Sequence, residues 1–174
     1  MTPAALKATP IVFVAAILQG SWFSGLSIGR GSAGLLLVTI VSLALLRGSV
    51  FGAVAGFAAG FCFDVSVYGQ LGLTSLLLTL AGFWTGRYGE TTGRDRAHAP
   101  YLSVVVITVL YELGGLVARF LLGEPAPAWR LLFDALPGEL LLNLILTAPI
   151  YMLCRWAVGK ASDEERATEV TLRA

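Results

Sequence analysis

The stretch Gly48-Ser-Val-Phe-Gly52-Ala-Val-Ala-Gly56-Phe-Ala-Ala-Gly60-Phe-Cys-Phe-Asp64 places a glycine at every fourth position and ends the row on an aspartate. Residues four apart share one face of a helix, so the glycines form a groove along one side. In lipid, apolar side chains gain little by meeting one another, and association comes from close backbone approach and dispersion contact. The spacing therefore predicts a membrane helix packed against a neighbour, and Gly82 and Gly86 repeat the pattern more weakly in the following segment. That neighbour is expected within the same chain.

The rest of the chain agrees with a membrane setting. Of 174 residues, 56% are hydrophobic and 13% charged, against about a quarter charged in ordinary globular domains. The apolar residues fall in runs such as Ile11–Ile28, Ser49–Val67, Leu102–Val117 and Leu140–Val158, each near the ~20 residues that cross ~30 Å of hydrocarbon. The fold class predicted is all-α, a polytopic membrane protein of about six helices. Its spans are placed near 9–28, 31–46, 49–68, 71–88, 100–122 and 137–158, in one membrane domain over 1–160. The apolar run after Lys7 has no small-x-small cleavage site behind it and is read as a permanent first span. Trp129 to Leu136 suits a short helix lying in the interface, and Pro137 restarts a helix where its missing N–H costs nothing. The charged tail 161–174 lacks aromatic residues and is expected to be disordered.

Charge sets the orientation. With both termini inside, Lys7, Arg47, Arg87, Arg94, Arg96, Arg155, Lys160, Arg166 and Arg173 face the cytoplasm, and only Arg30, Arg119 and Arg130 lie outside. This satisfies the positive-inside rule. A net charge of +1 with dispersed basic residues excludes a nucleic-acid-binding surface.

Chemistry-bearing residues are few. Cys62 and Cys154 fall in apolar runs at opposite depths, so neither a disulfide nor a thiol metal site is expected. His98 is the only histidine and lies in the polar Gly89–Ala99 loop; no paired acidic motif for Mg²⁺ is present. The expectation is a protein without catalytic residues, metal or cofactor. Asp64 stands out, because a carboxylate near a helix C-terminus in an apolar span needs a partner. Arg119, at a similar depth, is the first expected partner and Arg30 the second. Glu112 lies seven residues before Arg119 on nearly the same face. Glu139 sits in a helix first turn, where it complements the dipole; Asn143 can hydrogen-bond across helices, and Pro149 is expected to kink the last span.

The segment from Gly56 through Asp64 and Gly72 to Gly86, together with Asn143-Leu-Ile-Leu-Thr-Ala-Pro149 and the basic Arg155, resembles the MreD family. The resemblance implies a non-enzymatic subunit of the bacterial elongation (Rod) complex in the cytoplasmic membrane. It would work with MreC to regulate RodA and its class B penicillin-binding protein in peptidoglycan synthesis and cell shape, linked to MreB. Candidate structural or partner-contact residues on this reading are Gly52, Gly56, Gly60, Asp64, Gly72, Glu112, Arg119, Asn143 and Pro149. The family's fold is also similar to substrate-binding subunits of energy-coupling-factor vitamin transporters, which makes a small-molecule-binding subunit the alternative. Those subunits carry an Ala-xxx-Ala docking face on the first span; here Ala15 is followed at the fourth place by Gln19.

Overall fold

The computed structural model describes residues 27–28, 31–32, 34–67, 72–92, 98–123, 129 and 131–173. Two-residue strands β1 (Ser27–Ile28) and β2 (Gly31–Ser32) pair antiparallel. Then follow α1 (Leu35–Arg47), α2 (Ser49–Val67), α3 (Leu73–Thr92), α4 (Ala99–Leu121), a π-helical turn Leu131–Ala135 and α5 (Leu136–Arg173). Apart from the short ladder, every described element is helical.

Several expected boundaries move. Most of the first expected span lies outside the described residues, but its last two residues and the first two of the second form the ladder instead of helix. Glycines at 29 and 31 weaken any helix there. Within the expected interface helix, Trp129 is helical, Arg130 lies outside the described residues, and Leu131–Ala135 form a π-helical turn that leads directly into α5. The charged tail, expected to be disordered, continues α5 as helix to Arg173; after Gly159 it holds mostly good helix formers and no proline. Pro149 lies inside this continuous helix.

Among the described residues, three stretches are long and apolar enough to cross a membrane: Ser49–Ser66, Ala99–Leu121 and Phe133–Trp156. α1 is apolar but has only 13 residues. Leu35 through Leu45 are all buried, as expected for a helix that is apolar on every side. α1 touches α2, α3, α4 and α5 and so occupies the middle of the bundle. Its two central hydroxyls turn back on its own backbone, Thr39 Oγ1 to the Leu35 carbonyl and Ser42 Oγ to the Val38 carbonyl, both at 2.8 Å.

α2 and α3 form the most extensive contact in the molecule. Gly52 and Gly82 oppose one another so closely that a Cβ on either would overlap the other's carbonyl. A Cβ on Gly56 would stand 2.7 Å from the Leu78 carbonyl carbon, and one on Gly60 would stand 2.5 Å from Ser75 Cα. Gly86 meets the Gly48–Ser49 peptide in the same way. Carbon atoms normally keep at least ~3.5 Å apart, so along this seam only glycine fits. The opposite side of α2 presents Val50, Val54, Phe57, Phe61 and Val65, all exposed, a stripe suited to lipid and not to water.

Gly56→Leu drives a side chain into a fixed backbone and is expected to lose at least ~1–3 kcal/mol of stability. Gly115→Leu meets open space, with nothing within 4 Å of its Cβ position, and should stay within about 0.5 kcal/mol of the parent. Unfolding both variants in detergent checks this; equal stability would remove α3 as the reason for the glycine row.

Candidate functional site

α2 and α3 run antiparallel, so each ends beside the start of the other. Both begin after a glycine of positive φ, Gly48 at 98° and Gly72 at 95°, and glycine has no side chain with which to cap a helix. The caps come from across the seam. Asp64, near the end of α2 and 3% exposed, accepts hydrogen bonds from the N–H groups of Gly72 at 2.9 Å and Ser75 at 3.3 Å on its Oδ2. Glu90, near the end of α3, accepts from the Ser49 N–H at 2.7 Å and the Ser49 hydroxyl at 3.1 Å. Each carboxylate therefore lies at a helix N-terminus, where orphan N–H groups and the dipole both favour it.

This corrects the expected partner of Asp64. Arg119 is exposed on α4, and α2 and α4 share no substantial interface. The amides of α3 take the carboxylate instead, with no cation paired to it among the described residues. Arg30 lies outside the described residues.

A second polar group ties α5 to the bundle. Asn143 is fully buried. Its Oδ1 accepts from the Gly34 N–H at 2.8 Å, at the residue preceding α1, and its Nδ2 donates to Thr108 Oγ1 of α4 at 3.1 Å. A Cβ on Gly34 would approach the Asn143 amide to 3.1 Å, so the amide and the glycine fit as a pair. One turn earlier on α5, Glu139 is 7% exposed. It lies in the first helical turn, yet its carboxyl faces inward, beside Glu112 and Asn143. Glu112, Glu139, Tyr111 and Thr74 line a cavity of about 170 Å³ next to Gly34.

The structure thus brings Glu112, Glu139 and Asn143 together and sets Gly52, Gly56, Gly60, Asp64 and Gly72 along the α2–α3 seam. Arg119 and Pro149 are exposed and apart from both groups. Sequence reasoning missed Glu90, Gly34 and Thr108. Glu90 had a signal: in an antiparallel pair with Asp64 at one end, an acid at the other end of α3 faces the start of α2. His98 is exposed, and the described residues contain no group of three or more His, Cys, Asp or Glu placed to hold a metal. Cys62 is exposed, Cys154 is buried, and both are free thiols. What these side chains do is fix helices at set distances.

A family model described as rod shape-determining protein MreD matches residues 7–157. No curated protein and no solved structure matches the chain.

Asp64→Ala removes the acceptor of the buried Ser75 N–H and of the Gly72 N–H at the exposed turn, and is expected to cost about 1–3 kcal/mol. Arg119→Gln should change stability by less than about 0.5 kcal/mol, and the double variant should equal the sum of the two within about 0.5 kcal/mol. A double-mutant cycle on the purified protein reads this directly; coupling clearly above that margin would restore an Asp64–Arg119 pair.

Proposed function

The chain belongs to the MreD family, and from that premise we propose that it is a non-enzymatic scaffold of the elongation complex, spanning the cytoplasmic membrane six times with both termini inside. It binds MreC, and through the complex it helps position RodA and the class B penicillin-binding protein, with MreB on the cytoplasmic side. The family match over residues 7–157 carries this reading. The geometry suits it, because the buried polar groups lock helix ends and leave long apolar faces open to other membrane chains.

The alternative, a vitamin-binding transporter subunit, meets an obstacle of size. The polar cavity beside Glu112 and Glu139 is about 170 Å³, whereas small-molecule pockets usually enclose roughly 300–1,000 Å³. A scaffold needs no such volume.

Co-expression with MreC and purification in mild detergent should yield a stable complex; a chain that purifies alone while retaining a small molecule would favour the transporter instead. Orientation has its own test. In a background lacking Cys62 and Cys154, Asp95→Cys should resist an impermeant thiol reagent in sealed cells and react once the membrane is opened. Ready labelling in sealed cells would reverse the topology.

A further inference from the structure

α3 and α4 part on their outer side and leave a groove open to the bilayer. A cavity of about 230 Å³ lies at the end near Tyr88 and Ser103, and a second of about 220 Å³ continues toward Leu77 and Gly114. Trp84, Ile107 and Leu110 wall both, so the two form one channel. From Tyr88 to Leu77 along α3, or from Ser103 to Gly114 along α4, the helix rise is about 16 Å. That is close to half of a ~30 Å hydrocarbon core, the depth of a single leaflet.

The groove is not uniformly apolar. Thr85 and Ser103, 2% and 6% exposed, line it from the two facing helices at the same end. The hydroxyl oxygens of both are buried and have no hydrogen-bond partner among the described residues. In hydrocarbon no water is at hand to satisfy them. A lipid tail alone would leave them unsatisfied, whereas an ester carbonyl at the head of that tail accepts from either after a turn about χ1. Arg87, two residues past Thr85 toward the end of α3, is exposed. Glu90, one turn further on, is turned to Ser49. A long arginine side chain at this depth reaches the headgroup level with its stem still in the apolar layer.

We propose that this groove is a binding site for one anionic glycerophospholipid of the leaflet on the Arg87 side, cytoplasmic in the orientation given above. The phosphate meets Arg87, an ester carbonyl takes the Thr85 or Ser103 hydroxyl, and one acyl chain fills the channel past Ile107 and Leu110 toward Gly114. The site needs no assumption about the elongation complex.

The test is native mass spectrometry of the full chain equilibrated with equal phosphatidylglycerol and phosphatidylcholine. One retained phosphatidylglycerol per chain is expected, in preference to phosphatidylcholine. Arg87→Gln should weaken that preference about fivefold, the effect of one basic residue near the surface, while Arg119→Gln, also exposed but on α4 at the opposite end, leaves it unchanged. Leu110→Trp, which fills the channel, should lower occupancy by both lipids. Equal retention of the two lipids by the parent chain, equal losses from the two arginine variants, or undiminished occupancy in Leu110→Trp would each overturn the site. A photoreactive benzoylphenylalanine in place of Val106 should yield a lipid adduct in cells; a protein adduct there would give the groove to a partner helix and overturn the lipid assignment.

Discussion

The contact of backbone against backbone between α2 and α3 constrains the rest of the molecule. With glycines at 52, 56, 60, 82 and 86 the two helices approach until only glycine fits. In lipid this gain comes from dispersion and not from release of water, so it depends steeply on distance. The same closeness decides what the helix ends can do. An aspartate side chain is short, and Asp64 can reach the first amides of α3 only because the two axes lie so near. The longer glutamate at position 90 does the equivalent work at the other end. Packing and capping are thus one interaction: lose the glycines and both carboxylates lose their donors.

A related constraint explains α1. At 13 residues its rise is about 20 Å, less than the ~30 Å of hydrocarbon, so at least one of its ends lies where water cannot satisfy the orphan groups of a helix terminus. The structure meets this at the start of α1, where Asn143 of α5 takes the Gly34 N–H; across Gly48, Glu90 likewise takes the Ser49 N–H that opens α2. Glycine precedes α1, α2 and α3 at positions 34, 48 and 72. Where the turn or the crowding demands glycine, the helix gives up a local cap and must borrow a distant one. That is why Asp64, Glu90 and Asn143 each lie against the start of another helix.

Much of this was legible from sequence where a periodic signal existed. The every-fourth-residue glycines announced a close helix contact, and the apolar runs announced a membrane protein. Asp64 was identifiable as a residue that needs a partner, but the partner was sought among cations, because charge is visible in a sequence and a helix amide is not. Every residue has an N–H; which ones are orphaned depends on where a helix begins and on what lies beside it. Glu139 does lie in a helix first turn, as the sequence indicates, but its neighbours were not legible. A carboxylate in a first turn complements its own helix whichever way it points, and only the neighbouring helices determined that it faces Glu112 and Asn143. The tail was read from composition, which describes a chain's solubility and leaves its local helix propensity aside.

These ties differ from helix to helix. α1, α2 and α3 are joined by glycine contacts and two carboxylate caps, while Asn143 ties α5 to the start of α1. α4 is held by apolar packing, by the Thr108–Asn143 hydrogen bond at 3.1 Å, and by side-chain contacts of Tyr111 with Thr74 and of Glu112 with Glu139. Its outward side carries Leu102, Val106, Leu110, Leu113 and Val117, all exposed, and it borders both the polar cavity and the α3–α4 groove. That exposed apolar side is suited to lipid or to another membrane helix. Thr108, Asn143 and the Gly34 N–H form one hydrogen-bonded chain that joins α4, α5 and the start of the central helix.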